Sequence, residues 1–156
     1  MEPQKLIGVI GSRECDAETY EHARLVGELL AKRGYGVICG GLSGVMEAAC
    51  KGASEAGGFT VGVLPGDTPE SANAYVQFRI ATGMGIARNV IIVRSSAAVI
   101  AVSGGPGTLS EIAHCLQLDV PVIGLDTHDV SPGIVQVGTP QEAVDRAVAL
   151  AEIRDP

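Results

Sequence analysis

The chain has 156 residues and a net charge of −7; 46% of it is hydrophobic, 19% charged and only 3% aromatic. So much apolar side chain excludes intrinsic disorder, and the length suits one domain able to bury roughly 70% of its unfolded surface. An acidic chain almost without stacking rings lacks the basic face of a nucleic-acid binder, so polymeric DNA or RNA is not expected as a partner.

The opening, Met1-Glu2-Pro3-Gln4-Lys5, carries an acid where an export signal wants bases, and the apolar run after it is too short to span a membrane. That run, Lys5 to Ile10, reads as a buried strand ending in Gly11-Ser12. A helix is predicted from Ala17 to Arg33, with Ala23, Val26, Leu29 and Leu30 on one stripe and Gly34 as its stop. Val37-Ile38-Cys39 is a short strand running into Gly40-Gly41, and Ser43 to Glu55 a second helix closed by Gly57-Gly58. Thr60 to Leu64 is a third strand.

Alternating strands and helices mean βαβ units on a parallel sheet, whose strands are covered on both faces and so show no polar alternation. Asp67 to Tyr75, polar and proline-containing, is expected to be a mobile loop, and Val76 to Ile80 a short strand. Gly83 to Ser95 contains Val90-Ile91-Ile92-Val93, which favours strand by propensity, yet the rhythm of the fold asks for a helix there. Those four residues also suit an interface or a core. Ala97 to Val102 is a buried strand, Thr108 to Leu118 a helix, and Pro121 to Leu125 another strand. Thr139-Pro140-Gln141-Glu142 opens the last helix with a capping box and proline in its first turn.

Cys15, Cys39, Cys50 and Cys115 lie far apart in sequence with no C-x-x-C pair, as expected of buried free thiols in a reducing cytoplasm. His22, His114 and His128 have no ligand spacing, so no metal site is expected.

Three strand ends carry glycine-rich turns expected to open helices: Gly11-Ser12, Gly40-Gly41-Leu42-Ser43-Gly44, and Ser103-Gly104-Gly105-Pro106-Gly107-Thr108. Ligands of open parallel sheets bind outside the carboxyl ends of the strands, and backbone N–H groups at helix starts hold anions without a basic side chain. An acidic protein can therefore hold a phosphate locally. The last loop lacks the Gly-Lys-Ser/Thr of a nucleotide-hydrolysing P-loop, and Gly8 to Gly11 does not spell the dinucleotide fingerprint. Glu111 falls one turn inside the third loop, where a carboxylate can face a ribose whose phosphate sits at Gly107-Thr108. Thr108-x-x-Glu111 is also a capping-box spelling, so a purely structural use stays open. Arg88 can neutralise a phosphate or position a substrate.

The stretch Ser103 to Glu111 resembles the P-G-G-x-G-T-x-x-E motif of the LOG-like (SLOG, "lysine decarboxylase-like") superfamily, and Gly40 to Glu47 (GGLSGVME) resembles its second glycine loop. Length and loops, including Gly62 to Gly66, are most similar to the molybdenum-cofactor carriers of that superfamily. The resemblance implies one Rossmann-like α/β domain over residues 1–156, a parallel sheet with helices on both faces, and a homodimer or homotetramer. It implies ligand contacts at Gly11, Ser12, Gly40, Gly41, Leu42, Ser43, Asn89, Gly104, Gly105, Gly107 and Thr108. Two functions remain open under it: a carrier that binds a nucleotide or molybdenum cofactor as ligand, requiring no cofactor of its own, or a nucleotide 5′-monophosphate phosphoribohydrolase with Arg88 and Glu111 as its catalytic pair. A regulatory nucleotide sensor is a third class. Ser103 stands where the motif begins with proline, and Asn89 follows Arg88 where the hydrolases usually carry lysine. Decarboxylation of lysine is rejected, because none of Lys5, Lys32 or Lys51 sits on a loop that would hold pyridoxal phosphate.

Overall fold

The computed structural model describes residues 4–154; Met1, Glu2 and Pro3, on which the reading of the opening partly rests, lie outside the described residues. Seven strands form one parallel sheet in the order β4-β3-β2-β1-β5-β6-β7. They are β1 (Leu6–Gly11), β2 (Gly36–Cys39), β3 (Thr60–Leu64), β4 (Phe78–Ala81), β5 (Ala98–Val102), β6 (Val122–Leu125) and β7 (Ile134–Val137). Five helices connect or cover them: α1 (Ala17–Lys32), α2 (Val45–Glu55), α3 (Asn89–Arg94), α4 (Pro106–Gln117) and α5 (Pro140–Ile153). The predicted α/β class with helices on both faces is what the chain forms.

β3 and β5 bury every residue and β1 all but its two end residues, as apolar runs covered on both faces require. One core cluster joins α1, α2 and α5 to one face of the sheet, and a second joins α3 and α4 to the other. On the first face α1 and α2 approach backbone to backbone. A Cβ on Gly27 would lie 1.9 Å from the Ala49 carbonyl oxygen, and one on Gly52 would lie 1.8 Å from that of Arg24. Only glycine permits that crossing. Tyr20 adds a clasp, its hydroxyl donating to Glu47 at 2.8 Å.

Several boundaries differ from expectation. Asp67 to Tyr75 contains a 3-10 turn, Pro69–Ser71, and is anchored at Asn73, whose N–H donates to the Gly41 carbonyl at 2.9 Å and whose Nδ2 donates to the Leu42 carbonyl at 2.8 Å. Gly83 to Ser95 splits into a 3-10 turn, Gly85–Arg88, and the six-residue α3. Of the apolar run, Ile92 and Val93 are fully buried in the core and Ile91 packs against it, while Val90 is half-buried. β7 has no counterpart among the expected elements; it is an edge strand in which only Ile134 is buried. Leu29, placed on the core stripe of α1, is only half-buried, and Gly27 takes its place. Cys39, Cys50 and Cys115 are buried free thiols, while Cys15 is half-buried. Among the described residues no helix is long and apolar enough to cross a membrane.

Candidate functional site

The strand order reverses direction between β1 and β5: successive strands step one way from β1 to β4 and the other way from β5 to β7. Carboxyl ends on either side of such a reversal diverge and leave a crevice. Here the crevice has a volume of about 700 Å³ and gathers Gly11, Ser12, Gly40, Leu42, Ser43, Arg88, Asn89, Gly105, Gly107, Thr108 and Glu111 around one space. That is the size and polarity of a small-molecule pocket.

Two of the expected contact residues lie behind its wall. Gly41, at φ +75°, packs on Gly62 and Leu64; Gly104, at φ +115°, turns the loop so tightly that a Cβ there would meet Thr108 Oγ1 at 2.3 Å. Both shape the cleft without lining it. Sequence reading missed Arg13, Glu14, Met46, Pro65, Ile86 and Pro106. Arg13 and Glu14 sit in the irregular segment between β1 and α1, where no periodicity signals which way a side chain turns. Ile86 is 85% exposed yet forms part of the rim.

The three glycine turns are not equivalent. α1 starts five residues after Ser12 and is capped by its own Asp16, whose carboxylate accepts from Thr19 N–H at 2.8 Å, so the first turn does not offer a helix start. α2 begins at Gly44 without a side-chain cap, its first N–H donating to the Ser12 carbonyl at 3.0 Å. α4 begins at Gly105, again with no side-chain cap and with Pro106 in its first turn. Because Pro106 has no N–H to give, the next donors, on Gly107 and Thr108, head the helix beside the cleft. A Cβ on Gly107 would meet nothing within 4 Å, so that residue opens onto free space. The positive end of the α4 dipole adds to these donors.

The capping reading of Thr108-x-x-Glu111 is thereby corrected. Thr108 is inside the helix, not at its cap, and is 2% exposed. Glu111 is 8% exposed and faces the cleft. Burial pushes its carboxyl pKa up to about 7, with the charge of Arg88 pulling the other way.

Arg88 enters from the start of α3, and the sequence around it explains its pose. Gly40 leaves room for it, since a Cβ there would stand 2.8 Å from the guanidinium. Its Nε donates to the Val63 carbonyl at 2.9 Å, and its Nη1 donates to Asn89 Oδ1. Burial lowers the pKa of Arg88 from its ordinary value, opposed by Glu111 and Cys39. Asn89 is thus occupied in orienting the arginine, a task a lysine at that position cannot perform because it has no acceptor.

Ser103, at the motif position of the proline, has φ 51° and donates its N–H to the Leu125 carbonyl at 3.0 Å. The loop beyond it is braced by the segment after β6: Thr127 Oγ1 donates to the Ser103 carbonyl at 2.5 Å, and His128 Nε2 lies 3.1 Å from the Gly105 carbonyl.

An open parallel sheet with an uncapped helix start and with Arg88 and Glu111 buried beside one cleft defines a Rossmann-like α/β protein. The chain belongs to the SLOG cluster4 family, which it matches over residues 4–152. An uncharacterized protein of Archaeoglobus fulgidus is 50% identical over 143 residues, covering 92% of this chain and 94% of the relative. The structure is similar to that of the molybdenum cofactor binding protein of Rippkaea orientalis, with a TM-score of 0.90 and 33% identity over 96% of this chain and 99% of that one. It is also similar to the molybdenum cofactor carrier protein of Chlamydomonas reinhardtii, at TM-score 0.88 and 33% identity, again over 96% and 99% of the two chains.

Proposed function

We propose that this protein is a carrier of a phosphate-bearing pterin of the molybdenum-cofactor type, held in the cleft without being turned over. The observation that carries the reading is the start of α4: a helix without a side-chain cap beside a ligand-sized cleft, with Gly107 open to it. The phosphate sits at Gly105, Gly107 and Thr108, with Gly11, Ser12, Gly40, Leu42 and Ser43 as the facing walls. Arg88 supplies the compensating charge, and Asn89 orients it. The similarity to two proteins whose names state molybdenum cofactor binding or carriage supports the choice of cargo. The cofactor is cargo, and no resident cofactor is required.

A second reading is favoured by one observation, the Glu111 carboxyl held near neutrality. A group poised there can protonate a leaving base or activate water, as phosphoribohydrolysis of a nucleotide 5′-monophosphate requires. Incubation with a nucleoside 5′-monophosphate separates the two: a carrier releases no free base.

We place the protein in the cytoplasm as a homodimer or homotetramer. The exposed apolar run of Phe78, Ile80, Met84 and Ile86 supports self-association.

The ligand class is tested by thermal unfolding with a pterin phosphate or nucleoside monophosphate and with each dephosphorylated counterpart. At 100 times its Kd the phosphorylated form adds about 2.7 kcal/mol. For a chain of this length that raises Tm by about 5–10 °C. Equal shifts from both forms would sink the phosphate anchor.

A further inference from the structure

Directly behind the Gly40–Gly44 loop lie two thiols that the proposed ligand site does not use. Cys39 closes β2 and Cys50 sits in α2; each is fully buried, and their sulfurs are 3.5 Å apart. Gly41 N–H donates to Cys39 Sγ at 3.3 Å, and the Met46 carbonyl lies 3.9 Å from the same sulfur. Gly40 and Met46 themselves line the cleft, so the pair is one layer beneath a solvent-filled wall.

We propose that Cys39 and Cys50 form a covalent modification site, a reversible intrachain disulfide made by a small peroxide that enters through the cleft. A disulfide needs sulfurs about 2.04 Å apart, so the pair must close by about 1.5 Å. The two sulfurs are unequal. Hydrogen bonding from Cys50 and from Gly41 N–H, with the charge of Arg88, lowers the pKa of Cys39 against the cost of burial, while the Cys39 sulfur and burial raise that of Cys50. Cys39 is therefore the nucleophile. Its thiolate attacks one oxygen of hydrogen peroxide, forming a sulfenic acid and releasing hydroxide. The Cys50 sulfur then displaces the sulfenic hydroxyl, its own proton leaving with it as water. In sum two thiols and one peroxide give one disulfide and two waters, and a reducing thiol reverses the change.

The sequence makes the test direct, because the tryptic fragment 34–51 contains Cys39 and Cys50 and no other cysteine. The full-length native protein is treated with hydrogen peroxide, cleared with catalase, denatured in iodoacetamide and digested. The expected fragment is two hydrogens lighter and carries no alkyl group; prior dithiothreitol restores two alkyl groups. In Cys50→Ser, which keeps a hydrogen-bond donor beside Cys39, Cys39 is expected to be trapped as a dimedone adduct. A fragment alkylated on both cysteines after peroxide, while the half-buried Cys15 is oxidised in the same sample, overturns the proposal. So does a disulfide that joins either residue to Cys15 or Cys115.

Discussion

Helices α4 and α5 carry the same four-residue spelling, Thr-x-x-Glu, and use it in opposite ways. At α5, Thr139 is the cap: its hydroxyl accepts from Glu142 N–H at 3.2 Å, and the Glu142 carboxylate reaches back to Gly138 N–H at 3.2 Å. Everything there is exposed and self-satisfied. At α4 the helix has begun three residues earlier, at Gly105, so Thr108 is interior and Glu111 turns into the cleft. The bare start leaves its donors to whatever enters. A capping box and an uncapped helix start are thus separated by the register of the motif against that start, and Pro106 helps set the register.

The largest expected effect breaks the α4 half of this contrast. Gly107→Val fills the open space at the helix start without demanding a forbidden backbone, since Gly107 has no positive φ. Two charge-assisted backbone hydrogen bonds are blocked, and affinity for a phosphate-bearing ligand should fall about a hundredfold or more. Calorimetric titration, with circular dichroism to show native helix content, reads the outcome. Unchanged affinity would return Gly107 to the role of a turn residue.

Glu111→Gln acts on stability rather than affinity, in a way no capping residue should show. A carboxyl raised from 4.5 to about 7 keeps its proton in the folded chain over a range where the unfolded chain has lost it. The stability it contributes is full below pH 4.5 and is lost as pH rises through about 7. At about 1.4 kcal/mol per tenfold change in proton activity this amounts to an order of 3–4 kcal/mol. Urea unfolding from pH 4 to 8 should show wild type falling relative to Glu111→Gln by that amount. Parallel curves would mean that the carboxyl is not held neutral. Should wild type release base from a nucleoside 5′-monophosphate, the same variant should cut the rate by about 10²–10⁴.

The α5 half is broken by Thr139→Ala, which removes a hydroxyl cap and should cost about 1 kcal/mol, or about 2–4 °C in Tm, with ligand affinity untouched. Smallest of all, Glu142→Gln keeps the box, because the amide oxygen can accept the same N–H, and should shift stability by less than about 0.5 kcal/mol. If Thr139→Ala weakened ligand binding as much as Gly107→Val does, the contrast between the two helices would fail.

What could be read ahead of the structure follows from how local each signal is. β1, β3 and β5 announce themselves as unbroken apolar runs, because both of their faces are covered. β7 was missed because an edge strand of four residues between Gly133 and Gly138 has neither length nor a full apolar run. Val90-Ile91-Ile92-Val93 looks like strand and folds as helix, since the chain must cross a face of the sheet between β4 and β5 and tertiary packing overrides propensity. Within the cleft, glycines and the Arg88–Glu111 neighbourhood were legible as residue types. Arg13, Ile86 and the bracing by His128 were not, because those segments owe their position to where distant strands end. The nearness of Cys39 to Cys50 was likewise hidden, one being on a strand and the other on the helix above it.

Ser103 bears on the history open to this loop. Its backbone sits at φ 51° and its N–H is committed to Leu125, whereas proline is fixed near −65° and has no N–H. Ser103→Pro is therefore not a simple exchange between this chain and the proline-first form of the motif. It would break the loop unless Gly104 and the segment after β6 were refolded with it.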